Sequence, residues 1–219
     1  MKGRNWGTKP NLEGSMGFYS RVIFPRLCNF ALNNQIVAKR RQELLAATTG
    51  DVLEIGFGTG LNLLHYSPEV RSLAAIEPSI GMGRMARERI ERSLITVELH
   101  RLAGESLPFA DDAFDCAVST FTLCSIGDVD QALREIYRVL KPGGRFLFLE
   151  HGLSPDPGIQ LWQRRLNWLQ MRLGAGCHLT RNIGAMVAAQ SFASLVIDES
   201  YLPKTPKTHG YVYQGVGTK

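Results

Sequence analysis

The segment Glu54-Ile55-Gly56-Phe57-Gly58-Thr59-Gly60 sets three glycines at alternate positions beside a carboxylate. Glycine lets a backbone turn tightly and lets a ligand come against the main chain. Its spacing disfavours two phosphate-binding uses. A dinucleotide loop needs Gly-x-Gly-x-x-Gly; here the third glycine falls one residue early and Leu61 takes the required place. A phosphate loop needs Gly-Lys-Ser/Thr, which is absent. Glu77 lies 23 residues beyond Glu54, at the end of a second apolar run. A carboxylate there can accept hydrogen bonds from both hydroxyls of a ribose.

A second group of residues suits proton handling. His151 follows another apolar run, where an imidazole titrating near neutrality can serve as a general base. Glu150 can orient it or bind an acceptor, and His178 is a second candidate base. The four cysteines, Cys28, Cys116, Cys124 and Cys177, include no Cys-x-x-Cys pair. That spacing carries no zinc signature, so no metal is expected, and the cysteines read as reduced thiols.

The elements that must position these groups alternate. Apolar runs at 51–56, 73–77, 95–99, 114–119 and 145–150 read as strands. Near-continuous apolar strands separated by helices indicate an α/β fold with a mostly parallel sheet covered on both faces. One helix is strongly specified: Asp128 caps it, Gln131 sits three residues on, and Val129, Leu133, Ile136 and Leu140 form one stripe. A helix should open near Leu61 after the glycine loop. Another should run from Phe18 to Ala47, interrupted at Pro25, and a third from Ile159 to Leu173 with Trp162 on its buried stripe. Residues 194–202 and 210–215 read as a C-terminal antiparallel hairpin joined to the sheet.

The order of these pieces is specific. The glycine loop is followed by Glu77, then Gly104-Glu105-Ser106-Leu107-Pro108-Phe109, then Phe114-Asp115, then Leu140-Lys141-Pro142-Gly143-Gly144. Over about residues 50–150 this resembles the Rossmann-like class I S-adenosylmethionine-dependent methyltransferases, in particular the family that includes the ubiquinone/menaquinone C-methyltransferases. The resemblance implies S-adenosyl-L-methionine as cofactor and S-adenosyl-L-homocysteine as product. It implies that Glu54, Gly56, Gly58 and Gly60 shape the site, Glu77 and Pro78 meet the ribose, and Met82 packs on the adenine. Gly104 and Glu105 would flank the adenine edge, with Ala103 where many relatives carry Asp. Thr120 and Phe121 would face the methyl group, and Tyr19 the amino-acid end.

Beyond residue 149, Glu150-His151, Trp162-Gln163 and Gly176-Cys177-His178-Leu179-Thr180-Arg181, together with Cys124-Ser125, are similar to the small alkyl-thiol methyltransferases. A small apolar acceptor, thiol or lipid amine, is therefore expected ahead of a quinone-type carbon. A non-catalytic cofactor-binding protein is the opposing class. Residues 1–49 read as a tail and helical lid, and 50–219 as the methyltransferase domain with a helical acceptor-site insertion at 150–193.

The whole chain of 219 residues is 44% hydrophobic and 21% charged, as in ordinary soluble domains. Its polar start has no apolar run behind it, which predicts no secretory signal and a cytoplasmic location. A basic N-terminal part and net charge of +5 admit peripheral contact with an anionic membrane surface. No Lys/Arg block exceeds Lys39-Arg40-Arg41, so no nucleic-acid partner is expected.

Overall fold

The computed structural model describes residues 17–219; the tail expected at 1–15 lies outside them. Seven strands form one sheet in the order β3-β2-β1-β4-β5-β7-β6. They are β1 (Gly50–Ile55), β2 (Val70–Ile76), β3 (Thr96–His100), β4 (Phe114–Thr120), β5 (Leu140–His151), β6 (Ser194–Tyr201) and β7 (Tyr211–Thr218). β1 to β5 run parallel, while β7 lies antiparallel between β5 and β6. The helices are α1 (Phe24–Leu32), α2 (Gln35–Leu45), α3 (Ile80–Glu91), α4 (Val129–Val139), α5 (Pro157–Leu173), α6 (Ile183–Ala188) and α7 (Lys207–Gly210).

Successive strand residues point to opposite faces, and each face has its own core. Leu53, Ile55, Phe146 and Phe148 pack with Leu133 and Ile136 of α4 and Ile183 and Val187 of α6. Val52, Leu73, Val118 and Leu147 pack on the other side with Val37, Leu44 and Leu45 of α2 and Ala86 of α3. Each such apolar side chain, fully buried, contributes about 1.5–3 kcal/mol, so both faces hold the central strands in place. The edge strand β3 departs from strict alternation, with Thr96, Glu98 and Leu99 exposed and Val97 and His100 half-buried.

Four expectations change. The helix expected after the glycine loop is a single 3-10 turn, Leu61–Leu64, because only nine residues separate Gly60 from β2. The helix expected from Phe18 to Ala47 is three pieces: a π-helical turn at Tyr19–Ile23, then α1, then α2. Pro25 sits in the first turn of α1, and the break falls at Asn33-Asn34, where Asn34 caps α2 by accepting from Ile36 and Val37 N–H. β5 begins at Leu140, five residues early, since Leu140 already pairs with Phe114 across a bulge.

The fourth change concerns α5. Its apolar residues are not buried: Trp162 is 53% and Trp168 67% exposed, and Gln163 is the buried residue of the helix. Gln163 donates to the carbonyls of Gly152 and Thr208 and accepts from Ser154 N–H. A polar latch therefore seats α5 on the loop after β5 and on α7, and most of its large apolar residues face outward.

Candidate functional site

The site forms at the C-terminal ends of β1, β2, β4 and β5, where ligands of open α/β sheets bind. Gly56, Gly58 and Gly60 all take left-handed conformations, φ +72°, +59° and +77°, which side chains other than glycine resist. A Cβ on Gly56 would strike the Thr122 side chain. Gly56 and Phe57 N–H groups donate to the Ile76 carbonyl, and Gly58 N–H donates to Glu77 Oε2 at 2.7 Å. Ser79 N–H donates to the other oxygen of Glu77 at 2.8 Å. Burial raises the Glu77 pKa, against those two backbone bonds. A carboxylate offers about four acceptor positions, so two remain for a ligand's hydroxyls.

Beneath the loop lies a buried polar network. Glu54 accepts from Asn62 Nδ2 at 2.8 Å and from Tyr66 Oη at 2.6 Å. Burial pushes its pKa up to about 7, against the Tyr66 and Asn62 hydrogen bonds and the charge of Arg41. Arg41 donates through Nη1 to Asn62 Oδ1 and to Thr120 Oγ1, while its buried Nε has no partner. Asn29 of α1, Thr59 of the loop and Arg89 of α3 form a second junction: Thr59 Oγ1 and Arg89 Nη2 both donate to Asn29 Oδ1. The N-terminal helices are thereby bonded to the glycine loop itself.

At the end of β4 the chain turns sharply, with Phe121 at φ +54°. Such a conformation in a bulky residue costs of order 1–3 kcal/mol and clusters at functional sites. Glu150, fully buried, secures the corner: it accepts from Ser119 Oγ at 2.8 Å and, through both oxygens, from Thr122 N–H.

These elements enclose a cavity of about 380 Å³, within the usual range for small-molecule sites. Of the residues expected from sequence, Gly56, Gly58, Glu77, Pro78, Met82, Gly104, Glu105, Thr120 and Phe121 line it. Gly60 and Glu54 support the loop from outside the lining. Tyr19 is not on it either; its hydroxyl donates to the Leu173 carbonyl, joining the N-terminal segment to the end of α5. Glu150 acts within the wall. His151 Nε2 lies 2.8 Å from Cys177 Sγ, and His178 N–H donates to the Cys124 carbonyl. Neither histidine is among the lining residues, and Trp168 points to solvent.

Sequence reasoning missed Arg41 and Cys28, both on the lining. Arg41 read as one member of a basic run. The signal was its position, since Val37, Arg41, Leu44 and Leu45 are the buried residues of α2. Cys28 presents a neutral thiol, its pKa raised to about 11 by burial.

A glycine loop, a carboxylate with acceptor positions to spare and the apolar Met82 on the lining give this α/β protein a cavity suited to a nucleoside. The comparisons agree. A methyltransferase-domain family model matches residues 53–148. Thiol S-methyltransferase TMT1A of Homo sapiens is 31% identical over 220 residues, covering 92% of this chain and 90% of the human protein. The ubiquinone/menaquinone C-methyltransferase UbiE of Dinoroseobacter shibae is 34% identical over 114 residues, 50% of this chain and 45% of that protein. The structure of Haemonchus contortus phosphoethanolamine N-methyltransferase 2 in complex with S-adenosyl-L-methionine aligns with a TM-score of 0.65 at 14% identity, covering 95% of this chain and 59% of that one. The chain belongs to the class I S-adenosylmethionine-dependent methyltransferases.

The residues present fit that cofactor. Arg41 Nε is a buried cationic donor without a partner, and Glu77 keeps acceptor positions beyond its two backbone bonds.

Proposed function

We propose that this enzyme methylates a small apolar thiol. The observation that carries the reading is the reach of one likeness. The similarity to a thiol S-methyltransferase runs over 92% of the chain. It therefore takes in most of residues 17–49 and 150–193, the segments that close the acceptor side. The similarity to the quinone enzyme covers half.

When bound, S-adenosylmethionine supplies an electrophilic methyl group on a sulfonium. Arg41 would hold its carboxylate, Glu77 its ribose, and Met82 the adenine face, with Gly104 and Glu105 at the adenine edge. Residues 17–49 act as a lid, and the Phe121 corner aligns the reacting end. The acceptor would enter between Phe24, Ile126 and Ala175, three apolar members of the lining. Alignment of two bound reactants is the main contribution such a site makes. No acidic side chain other than Glu77 and Glu105 lines the cavity among the described residues, which favours a neutral sulfur acceptor over a cationic amine.

Apolar acceptors gather at lipid surfaces, and the outer face suits one. Trp162, Trp168 and Leu169 of α5 are exposed. Arg164, Arg165 and Arg172 stand on the same helix. We propose peripheral contact of this face with an anionic membrane. No helix among the described residues is long and apolar enough to cross one.

The test is S-adenosylhomocysteine formation with a panel of small alkyl thiols, lipid amines and quinols. Turnover should appear with the thiols. Turnover confined to amines or quinols overturns the thiol assignment, and none with any acceptor, despite tight cofactor binding, favours a non-catalytic cofactor-binding protein.

A further inference from the structure

Three segments distant in the chain meet behind the cavity wall. The loop after β4 brings Cys124, the last residue of β5 is His151, and the loop after α5 brings Cys177. Cys177 Sγ lies 3.5 Å from Cys124 Sγ and 2.8 Å from His151 Nε2, and all three atoms lie within 4.8 Å of one another. The backbone holds them there. His178 N–H donates to the Cys124 carbonyl at 2.9 Å, and Arg181 donates to the Leu123 carbonyl. Ala175 and Gly176 both take left-handed conformations, φ +51° and +88°, in the turn that directs Cys177 inward.

Hydrogen bonding alone does not explain the histidine. Its Nε2 faces only a sulfur, a weak partner. A disulfide does not explain the group either. Bonded sulfurs stand about 2.05 Å apart, so the pair would have to close by roughly 1.5 Å, and the imidazole would be left over. Tetrahedral coordination is nearer. Zn–S bonds of about 2.3 Å and Zn–N bonds of about 2.0–2.1 Å set the ligand atoms roughly 3.5–3.8 Å apart. The sulfurs already have that separation, the nitrogen has to withdraw from Cys177 Sγ by less than about 1 Å, and its distance to Cys124 Sγ, within 4.8 Å, needs to close by no more than about 1.3 Å.

We propose that Cys124 Sγ, Cys177 Sγ and His151 Nε2 form a binding site for one thiophilic divalent cation of the zinc class. Two thiolates and an imidazole select such an ion over hard cations. Binding needs no oxidant: each thiol releases its proton to solvent as its sulfur takes the metal. Three protein ligands leave a fourth position for solvent. The ion ties together two parts of the acceptor wall. Ser125, next to Cys124, and Ala175, two residues before Cys177, both line the cavity. The site does not depend on which acceptor the enzyme uses. It places His151 as a ligand that positions this wall.

The test uses the full chain, reduced and stripped with a chelator without oxygen, then titrated with cobalt(II). A sulfur-to-cobalt charge-transfer absorption with tetrahedral visible bands is expected, saturating at one equivalent and lost on adding zinc. Cys177→Ser and, separately, His151→Gln should weaken cobalt binding by at least about tenfold. Calorimetric binding of S-adenosylhomocysteine reports that each variant is folded. If one variant fails to fold, the other carries the comparison. No charge-transfer band in fully reduced protein overturns the proposal, as do bands unchanged in the folded variants. So does a native thiol count short by one pair and restored by reductant, which would mark the cysteines as a redox couple.

Discussion

The two sides of the cavity are built differently. On the cofactor side, buried polar groups are joined through backbone and side-chain bonds, and three left-handed glycines leave little freedom. On the acceptor side, α1 and α5 expose large apolar residues, and their seating rests on a few polar latches such as Gln163 and the Tyr19–Leu173 bond. One side is fixed by the shape of a ligand common to many enzymes. The other is left adaptable, and its outward face is not covered by the described chain.

That contrast can be broken at its strongest point first. Gly56→Ala adds a Cβ that strikes Thr122 and imposes a left-handed φ on alanine, for about 2–5 kcal/mol together. Calorimetry should find no S-adenosylhomocysteine binding; near-normal affinity would mean the loop is softer than its geometry. Arg41→Met removes a charged donor, for about 1.5–3 kcal/mol. S-adenosylhomocysteine affinity should fall by roughly 10- to 150-fold, while that of methylthioadenosine, which lacks the carboxylate, should hold. Equal losses for both ligands would show that Arg41 serves the scaffold alone.

On the other side, Trp162→Asp with Trp168→Asp should cut retention on anionic vesicles by about tenfold or more and leave S-adenosylhomocysteine affinity unchanged. Retention unaltered by both substitutions would remove the membrane proposal.

The smallest expected effect is a slope. Glu54 holds its proton up to about pH 7 when folded, against an ordinary 4.5. The native state therefore binds more protons between those values, and this contribution to stability falls as pH rises through that window. Relative to Glu54→Gln, the wild type should lose thermal stability from pH 4.5 to 7 and level off above. A flat difference would mean that Arg41 keeps Glu54 ionised throughout.

Legibility followed the same division. The glycine loop, Glu77 and the Asp128 cap were readable because each answers a local backbone demand, and the sheet was readable because its strands are apolar on both faces. α5 misled because periodicity reports an apolar stripe and says nothing of what covers it. Arg41 was hidden by its neighbours Lys39 and Arg40, although its place on the stripe of α2 marked it. The 3-10 turn at Leu61 was foreshadowed by the short distance to β2. The grouping of Cys124, His151 and Cys177 had no local trace, since two loops and a strand end far apart in the chain supply it.

The insertion of β7 between β5 and β6 has a consequence for how the molecule is made. β6 precedes β7 in the chain but pairs with the sheet only through it. Until β7 is in place, β6 has no partner and β5 is an open edge. An unpaired strand beside an unprotected edge is an aggregation hazard. β7 is therefore the strand on which closure of this side of the sheet depends.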